Sequence, residues 1–205
     1  MKKRGIRNIY FGWWTVIFSG LMTGLGMGFT GAGMSVLFKP IASELGMSRA
    51  ATSVAAGISR LQSGIEAPIT GWLSDKFGPS WVIISGLGFM ITGLILMNSI
   101  STPWQYYVVW GVVIGMGSNL ALTIAFDKAL INWFVAKSGL AFGVRFGIIG
   151  TVSASVLPLI AFLVDGEGWR TACLIWAAVL SIGLPLTWLL VKQHRPEHYG
   201  LLPDG

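Results

Sequence analysis

Charge is what this sequence has least of. Only 11% of its 205 residues are Asp, Glu, Lys or Arg, against about 25% in an ordinary soluble domain, so most of the chain must lie in a medium that tolerates no ions. Cysteine is almost missing too. The lone Cys173 sits inside an apolar run and has no partner for an internal disulfide, so no oxidising compartment is implied, and it reads as a small buried apolar residue. Two histidines, His194 and His198, flank Pro196, which disfavours the helix that would bring them together, and no third ligand is near. No nucleophile–base set is present. Neither an enzyme nor a cofactor is expected. The net charge of +6 does not indicate nucleic acid, because the basic residues sit at the ends of apolar runs and form no basic face.

Apolar residues make up 54% of the chain and Gly accounts for 28 positions, a combination typical of membrane helices whose backbones approach closely. A span needs about 20 apolar residues to cross about 30 Å of hydrocarbon. Six stretches qualify, from Gly12 to Phe38, Ala50 to Leu73, Trp81 to Met97, Trp104 to Phe126, Gly139 to Leu163 and Trp169 to Val191. The basic start at Met1–Arg4 is not a signal peptide, since the first run far exceeds an h-region of about 7–15 residues. Turn chemistry separates the spans at Lys39–Pro40, Asp75–Pro79, Ser101–Pro103 and Asp165–Gly168, and residues 127–138 read as a short amphipathic connection. Trp13, Trp14, Trp72, Trp104, Tyr106, Tyr107, Trp133 and Trp169 lie near span ends, as an interfacial aromatic belt would. Gly26–Gly31 fits G-x-G-x-x-G, but within a span it reads as helix packing.

The chain repeats itself. A shift of 90 residues lays the second span on the fifth and pairs Gly57 with Gly147, Ser63 with Ser153, Pro68 with Pro158, Asp75 with Asp165 and Gly78 with Gly168. One residue more aligns Trp13, Gly20, Gly24 and Gly26 with Trp104, Gly111, Gly115 and Gly117. Three helices therefore repeat as three, and an odd number inverts the second copy across the membrane. The predicted fold is an all-α membrane protein with six transmembrane helices in an inverted 3+3 repeat. Its predicted units are a bundle over 1–191, with repeats at about 12–98 and 104–191, and the start of a cytoplasmic loop over 192–205.

Gly71-Trp72-Leu73-Ser74-Asp75-Lys76-Phe77-Gly78 resembles the signature G-x-L-x-D-R/K-x-G-R/K-R/K of the major facilitator superfamily, whose members carry it between spans two and three. The resemblance implies a gating role for Gly71, Asp75, Lys76 and Gly78, with Asp127 at the end of span four in the same charge relay. Pro79 and Ser80 replace the final basic pair, which leaves Lys76 as the basic candidate in the loop. Phe11-Gly12-Trp13-Trp14, Val36–Lys39, Ser48-Arg49-Ala50, Trp133-Phe134, Gly139–Ala141, Gly168-Trp169-Arg170 and the tail 195–205 are similar to the monocarboxylate-porter and oxalate:formate-antiporter branch. Ala32 stands where the monocarboxylate porters carry a substrate-linked lysine.

The resemblance implies the amino-terminal half of a secondary carrier that moves a small organic anion, foremost a monocarboxylate, by alternating access with proton coupling. Its partners would be the substrate, the lipid bilayer, and either a second six-helix half or a second copy of itself. The alternatives are a carrier of another small solute or drug, or a non-transporting half acting as a regulatory partner.

Charges inside spans cost about 2.5–3.5 kcal/mol each on insertion scales and are functional candidates by default. They are Arg60, Glu66 and Arg145. Arg145 suits anion recognition because its fork grips carboxylates, and Arg60 joins it as a second substrate-binding candidate. Glu66 suits proton coupling. Asn119, Thr123 and Asp127, four residues apart, form a polar stripe on span four, which lines the central cavity in the superfamily; Asn119 and Thr123 are expected to touch substrate. The competing reading for each charge is a structural pair that holds the bundle together.

Nine basic residues (Lys2, Lys3, Arg4, Arg7, Lys76, Lys128, Lys137, Lys192 and Arg195) fall on one side, against Lys39, Arg49 and Arg170 on the other. Positive charge stays cytoplasmic, so a multi-pass protein of the cell (inner) membrane with both termini in the cytoplasm is expected. A reporter active only outside the cytoplasm, fused at the carboxyl end, is expected to stay silent; a strong signal would overturn this topology.

Overall fold

The computed structural model describes residues 11–191. The expectations that fall on Lys2, Lys3, Arg4, Arg7, the two histidines and the tail from Lys192 lie outside the described residues. Six helical rods follow one another: α1 (11–44), α2 (Arg49–Phe77), α3 (Pro79–Ser99), α4 (Pro103–Trp133), α5 (138–167) and α6 (169–190), with no strand among the described residues. Four stretches are long and apolar enough to cross a membrane: Phe11–Ala32, Pro79–Ser99, Pro103–Trp133 and Ser138–Leu190. The last contains both α5 and α6, which Gly168 separates with a non-helical backbone. The remaining helix, α2, is the polar one and carries Arg60, Gln62 and Glu66 along its length.

The breaks are shorter than the sequence suggests. Lys39 and Pro40 do not form a turn; the last α-helical section of α1, Met34–Glu44, runs straight through them. Asp75 and Lys76 are the last turn of α2, and only Gly78 leaves the helix. Residues 127–133 continue α4 instead of forming a separate connection. The reason is common to all three: charged residues do not by themselves stop a helix, and a lone proline forfeits one backbone bond while the rest of the ladder persists. Part of the expected aromatic belt turns inward. Tyr106, Trp133 and Trp169 are buried, whereas Trp14, Trp72 and Trp104 are exposed.

Glycine determines which helices meet. A Cβ at Gly20, Gly24 or Gly28 would lie 2.9, 2.7 or 3.0 Å from the side chain of Ile148, Val152 or Val156 respectively. Numbers rise together along both helices, so α1 and α5 run parallel at backbone-to-side-chain contact. The second repeat copies this arrangement: Gly111 faces Ile58 and Gly115 faces Ser59, which packs α4 parallel to α2. Gly86 meets Ala121 and Gly93 meets Ile114, in opposite numerical order, so α3 lies antiparallel to α4. Gly183 against Met22 is its counterpart between α6 and α1. Behind these seams lies an apolar core with Ile83, Leu87 and Met90 of α3 and Leu180 of α6. Phe29 of α1 stacks on Trp176 of α6 at 5.3 Å between ring centres.

Two sections wind more loosely than an α-helix. Gly28–Ala32 in α1 and Tyr107–Ile114 in α4 are π-helical, and the amide of Gly33 reaches back to the carbonyl of Gly28 at 2.7 Å. We term the end of the bundle that bears Lys76, Lys128 and Lys137 the inner end. At the opposite, outer end, Glu44 accepts from Trp169 Nε1 at 2.6 Å and pairs with Arg170. These bonds, that of Arg170 first and that of Trp169 second, hold the Glu44 carboxyl below its ordinary pKa.

Filling the α1–α5 seam should be costly. Gly24→Leu would force its Cβ into Val152 and is expected to destabilise the bundle by about 1–3 kcal/mol or more, read as a lower midpoint of thermal unfolding in detergent. Gly88→Ala, with open space around it, is expected to change stability by no more than about 0.5 kcal/mol.

Candidate functional site

The polar side chains gather around α4. Glu66 is buried, and both its oxygens are engaged: Oε1 accepts from Gln62 Nε2 at 2.5 Å, one turn earlier on α2, and Oε2 accepts from Asn119 Nδ2 of α4 at 3.0 Å. Gln62 also donates to the carbonyl of Val112 at 3.3 Å. The repeat shifts relate Glu66 to Val156 and Asn119 to Gly28, a pair in direct apolar contact. The polar bridge between α2 and α4 thus takes the place of a plain packing contact between α1 and α5.

Arg145 of α5 is almost fully buried, with 2% of its surface exposed, and forms an ion pair with Asp127 of α4. Its Nη2 donates to Thr23 Oγ1 at 3.1 Å and to the carbonyl of Leu122 at 3.2 Å. That carbonyl lies at a break, for the backbone at Thr123 leaves the helix (φ −119°, ψ −95°) and α4 resumes at Ile124. Thr23 also donates to the same carbonyl at 2.9 Å. The guanidinium therefore ties α1, α4 and α5 together. Both its terminal nitrogens are engaged within the bundle, while the buried Nε has no hydrogen-bond partner among the described residues, and the ion pair favours the structural reading of Arg145 over the substrate-binding role expected from sequence.

At the inner end Asp75 forms an ion pair with Lys128 of α4. The cation missing from positions 79 and 80 is thus supplied from another helix. Lys76 instead sits 4.9 Å from the centre of the Trp72 ring. Adjacent in sequence, Asp127 and Lys128 serve two different pairs, Asp127 with Arg145 and Lys128 with Asp75. Gly71 faces open space, and Gly78 holds φ at 86°, a conformation that favours glycine, where α2 turns into α3.

Arg60 is different. It is exposed on α2 and makes no ion pair among the described residues. It borders a cleft of about 390 Å³ between α1, α2 and α4, together with Thr30, Ser59, Trp110 and Ser118. Both loosely wound sections edge this cleft, through Thr30 and Gly31 of one and Trp110 and Ile114 of the other. Eleven residues separate Arg60 from the outer end of α2, about 16 Å at helical rise, which places it near mid-bundle. Asn119 and Thr123 do not line the cleft. Asn119 serves Glu66, and Thr123 Oγ1 donates to the carbonyl of Asn119 at 3.1 Å.

Sequence reasoning missed four contributors. Gln62 was visible as the residue one turn before Glu66, at a spacing that brings helical side chains together. Lys128 was visible as a cation beside Asp127. Thr23 and Ser59 carried no signal, because a hydroxyl in an apolar helix usually bonds to its own backbone.

A multi-pass helical bundle with buried charges between its helices is the architecture of a membrane carrier. Residues 16–204 match the Major Facilitator Superfamily, and the chain belongs to that family, one of transporters rather than enzymes. It is 27% identical over 153 residues to the oxalate:formate antiporter of Oxalobacter formigenes, an alignment covering 75% of this chain and 36% of the relative. It is 29% identical over 135 residues to the probable sulfoacetate transporter SauU of Cupriavidus necator, covering 63% and 30%. It is 29% identical over 123 residues to monocarboxylate transporter 13 of Rattus norvegicus, covering 60% and 28%. The chain spans about a third of the length of these relatives.

Removing the acid from the buried pair should cost stability first. Asp127→Asn leaves Arg145 charged between helices and is expected to destabilise the bundle by about 3 kcal/mol, the lower end of the range because Asp127 itself is partly exposed. The measure is the midpoint of thermal unfolding of purified protein; an unchanged midpoint would remove the strut role.

Proposed function

We propose that this chain forms half of a secondary carrier for a small organic anion, and that the anion binds in the cleft at Arg60. The observation that carries this reading is an exposed arginine without an ion-pair partner among the described residues, on the wall of a mid-bundle cleft with three hydroxyls, Thr30, Ser59 and Ser118. A guanidinium grips a carboxylate through two parallel hydrogen bonds, and neighbouring hydroxyls satisfy the remaining lone pairs. The loosely wound turns beside it add backbone flexibility where a substrate must enter and leave, and π-helical turns often occur at functional sites. The names of the three relatives, an oxalate:formate antiporter, a probable sulfoacetate transporter and a monocarboxylate transporter, favour the same substrate class. A monocarboxylate is the preferred member.

Glu66 is the proton-linked carboxylate in this reading. Protonation at Oε2, the oxygen that accepts from Asn119, would set an O–H against an N–H donor and weaken the one bond of Glu66 that reaches α4. Proton uptake would then loosen α2 from α4 beside the cleft. Asp75 and Lys128 work the inner gate. The second wall comes from another six-helix half, which covers the faces of α2 and α5 where a Cβ on Gly57, Gly64, Gly143 or Gly147 would meet nothing within 4 Å beyond its own stretch of helix. Residues 192–205 begin the loop that leads to it, both ends of this half lie in the cytoplasm, and the whole rocks between two access states. Arg145 contributes the scaffold.

Uptake of radiolabelled oxalate, formate and lactate into proteoliposomes holding the full-length protein tests this. Losing one charge-assisted bidentate contact, worth about 1.5–3 kcal/mol, is expected to raise the half-saturating concentration roughly ten- to hundredfold in Arg60→Lys with normal expression. Unaltered half-saturation would move the anion site elsewhere. In the same vesicles Glu66→Gln is expected to abolish the response to an imposed proton gradient, and a retained response would take coupling away from Glu66.

A further inference from the structure

The corner between α5 and α6 at the outer end is a structural copy of the gate corner between α2 and α3 at the inner end. Gly78 has φ 86°, ψ 152°, and Gly168 has φ 82°, ψ 162°. Each follows an exposed aspartate by three residues, Asp75 and Asp165, and each precedes a buried residue that opens the next helix, Pro79 and Trp169. The anchors match as well. Ser80 donates to the carbonyl of Val191, and Arg170 Nη2 donates to that of Ile100 at 2.5 Å. Donors lie 90 residues apart and acceptors 91, the same shifts that relate the helices. Pro68 and Pro158 occupy equivalent turns inside the two helices. Gly57 and Gly147 open onto empty space at equivalent points of the two faces.

One feature separates the two corners. Asp75 has Lys128 beside it. The residue related to Lys128 by the 91-residue shift is Leu37, which is apolar and fully buried. Asp165 makes no ion pair among the described residues. An aspartate held at the same corner, on the same open face and without an equivalent cation among the described residues, is placed to meet something outside its own half.

We propose that Asp165 is the outer latch of the carrier: it binds a positively polarised group, a basic side chain or helix amino-terminus, on the outer end of the second six-helix half whenever the outer side is closed. This rests on the reading of the chain as a carrier half. Asp75 and Asp165 then act at opposite ends of one inverted repeat, and their loss must bias the access equilibrium in opposite directions. Removing Asp165 weakens the outward-closed state and opens the cleft to the outside. Removing Asp75 weakens the inward-closed state and does the reverse.

Intact cells producing the full-length protein with Ala56→Cys in the cleft wall provide the readout, because the native Cys173 is buried. A membrane-impermeant maleimide added outside is expected to label Cys at position 56 on the order of fivefold faster in Asp165→Asn, at the lower end of ordinary coupling between sites. Labelling should be slower in Asp75→Asn and unchanged in Glu167→Gln, an exposed carboxylate two residues away, and in Asp165→Glu, which keeps the charge. Unchanged or slower labelling in Asp165→Asn overturns the latch, as does an equal acceleration in Glu167→Gln. Failure of Asp165→Asn to reach the membrane also overturns it, since an exposed side chain without an ion pair in its own half should not be needed for folding. Wild-type protein that takes up no oxalate, formate or lactate would refute the transport reading while leaving the labelling result to decide the latch.

Discussion

Between lipid tails there is no hydrophobic gain in bringing two helices together, so association depends on how closely backbones can approach and on which polar groups they satisfy. The seam of Gly20, Gly24 and Gly28 on α1 against Ile148, Val152 and Val156 on α5 meets the first condition. The remainder follows from it. With α1 held against α5, Thr23 reaches Arg145, and with α4 held in the same manner against α2 through Gly111 and Gly115, Asn119 reaches Glu66.

The same scaffold assigns different work to chemically similar groups. Arg60 and Arg145 are both arginines within apolar helices, yet one is spent on an internal ion pair and the other stands at a cleft. The difference lies in what α4 presents to each. Facing α5, α4 breaks at Thr123 and offers a bare carbonyl and a carboxylate, which neutralise a guanidinium. Facing α2 at the level of Arg60 it offers Gly115 and Ser118, which leave room and hydroxyls but no charge. A buried charge must be paired, whereas one beside an open cleft need not be.

Inversion of the repeat gives the half two similar ends with different fittings. The outer end is clamped by Glu44, Trp169 and Arg170 across α1, α3 and α6, and the inner end holds the α2–α4 ion pair of Asp75 and Lys128. Equal backbone geometry at Gly78 and Gly168 shows that the two copies have kept their shape while their side chains diverged. A carrier that must open at both ends needs that combination: common geometry for a rocking motion, and distinct contacts so that the two closed states differ in energy.

Much of this was legible in the sequence, because the membrane permits few solutions. Low charge, six apolar runs and a 90-residue repeat were enough for the helices and their inversion, the resemblance of Gly71–Gly78 to a known signature pointed to the family, and Gly78 and Gly168 were visible as turn residues. Helix ends were read too early at Lys39–Pro40 and after Phe126, since charges and a single proline mark a turn only statistically and do not compel one. The partners of the intramembrane charges were set only by tertiary structure. Asn119, Thr123 and Asp127 share one stripe on an ideal helix, but the break at Thr123 turns Asp127 to α5 while Asn119 stays with α2. Arg145 and Arg60 looked alike because periodicity specifies which face a residue occupies on its own helix. What another helix places opposite that face depends on side-chain packing between segments a hundred residues apart, which no local pattern encodes.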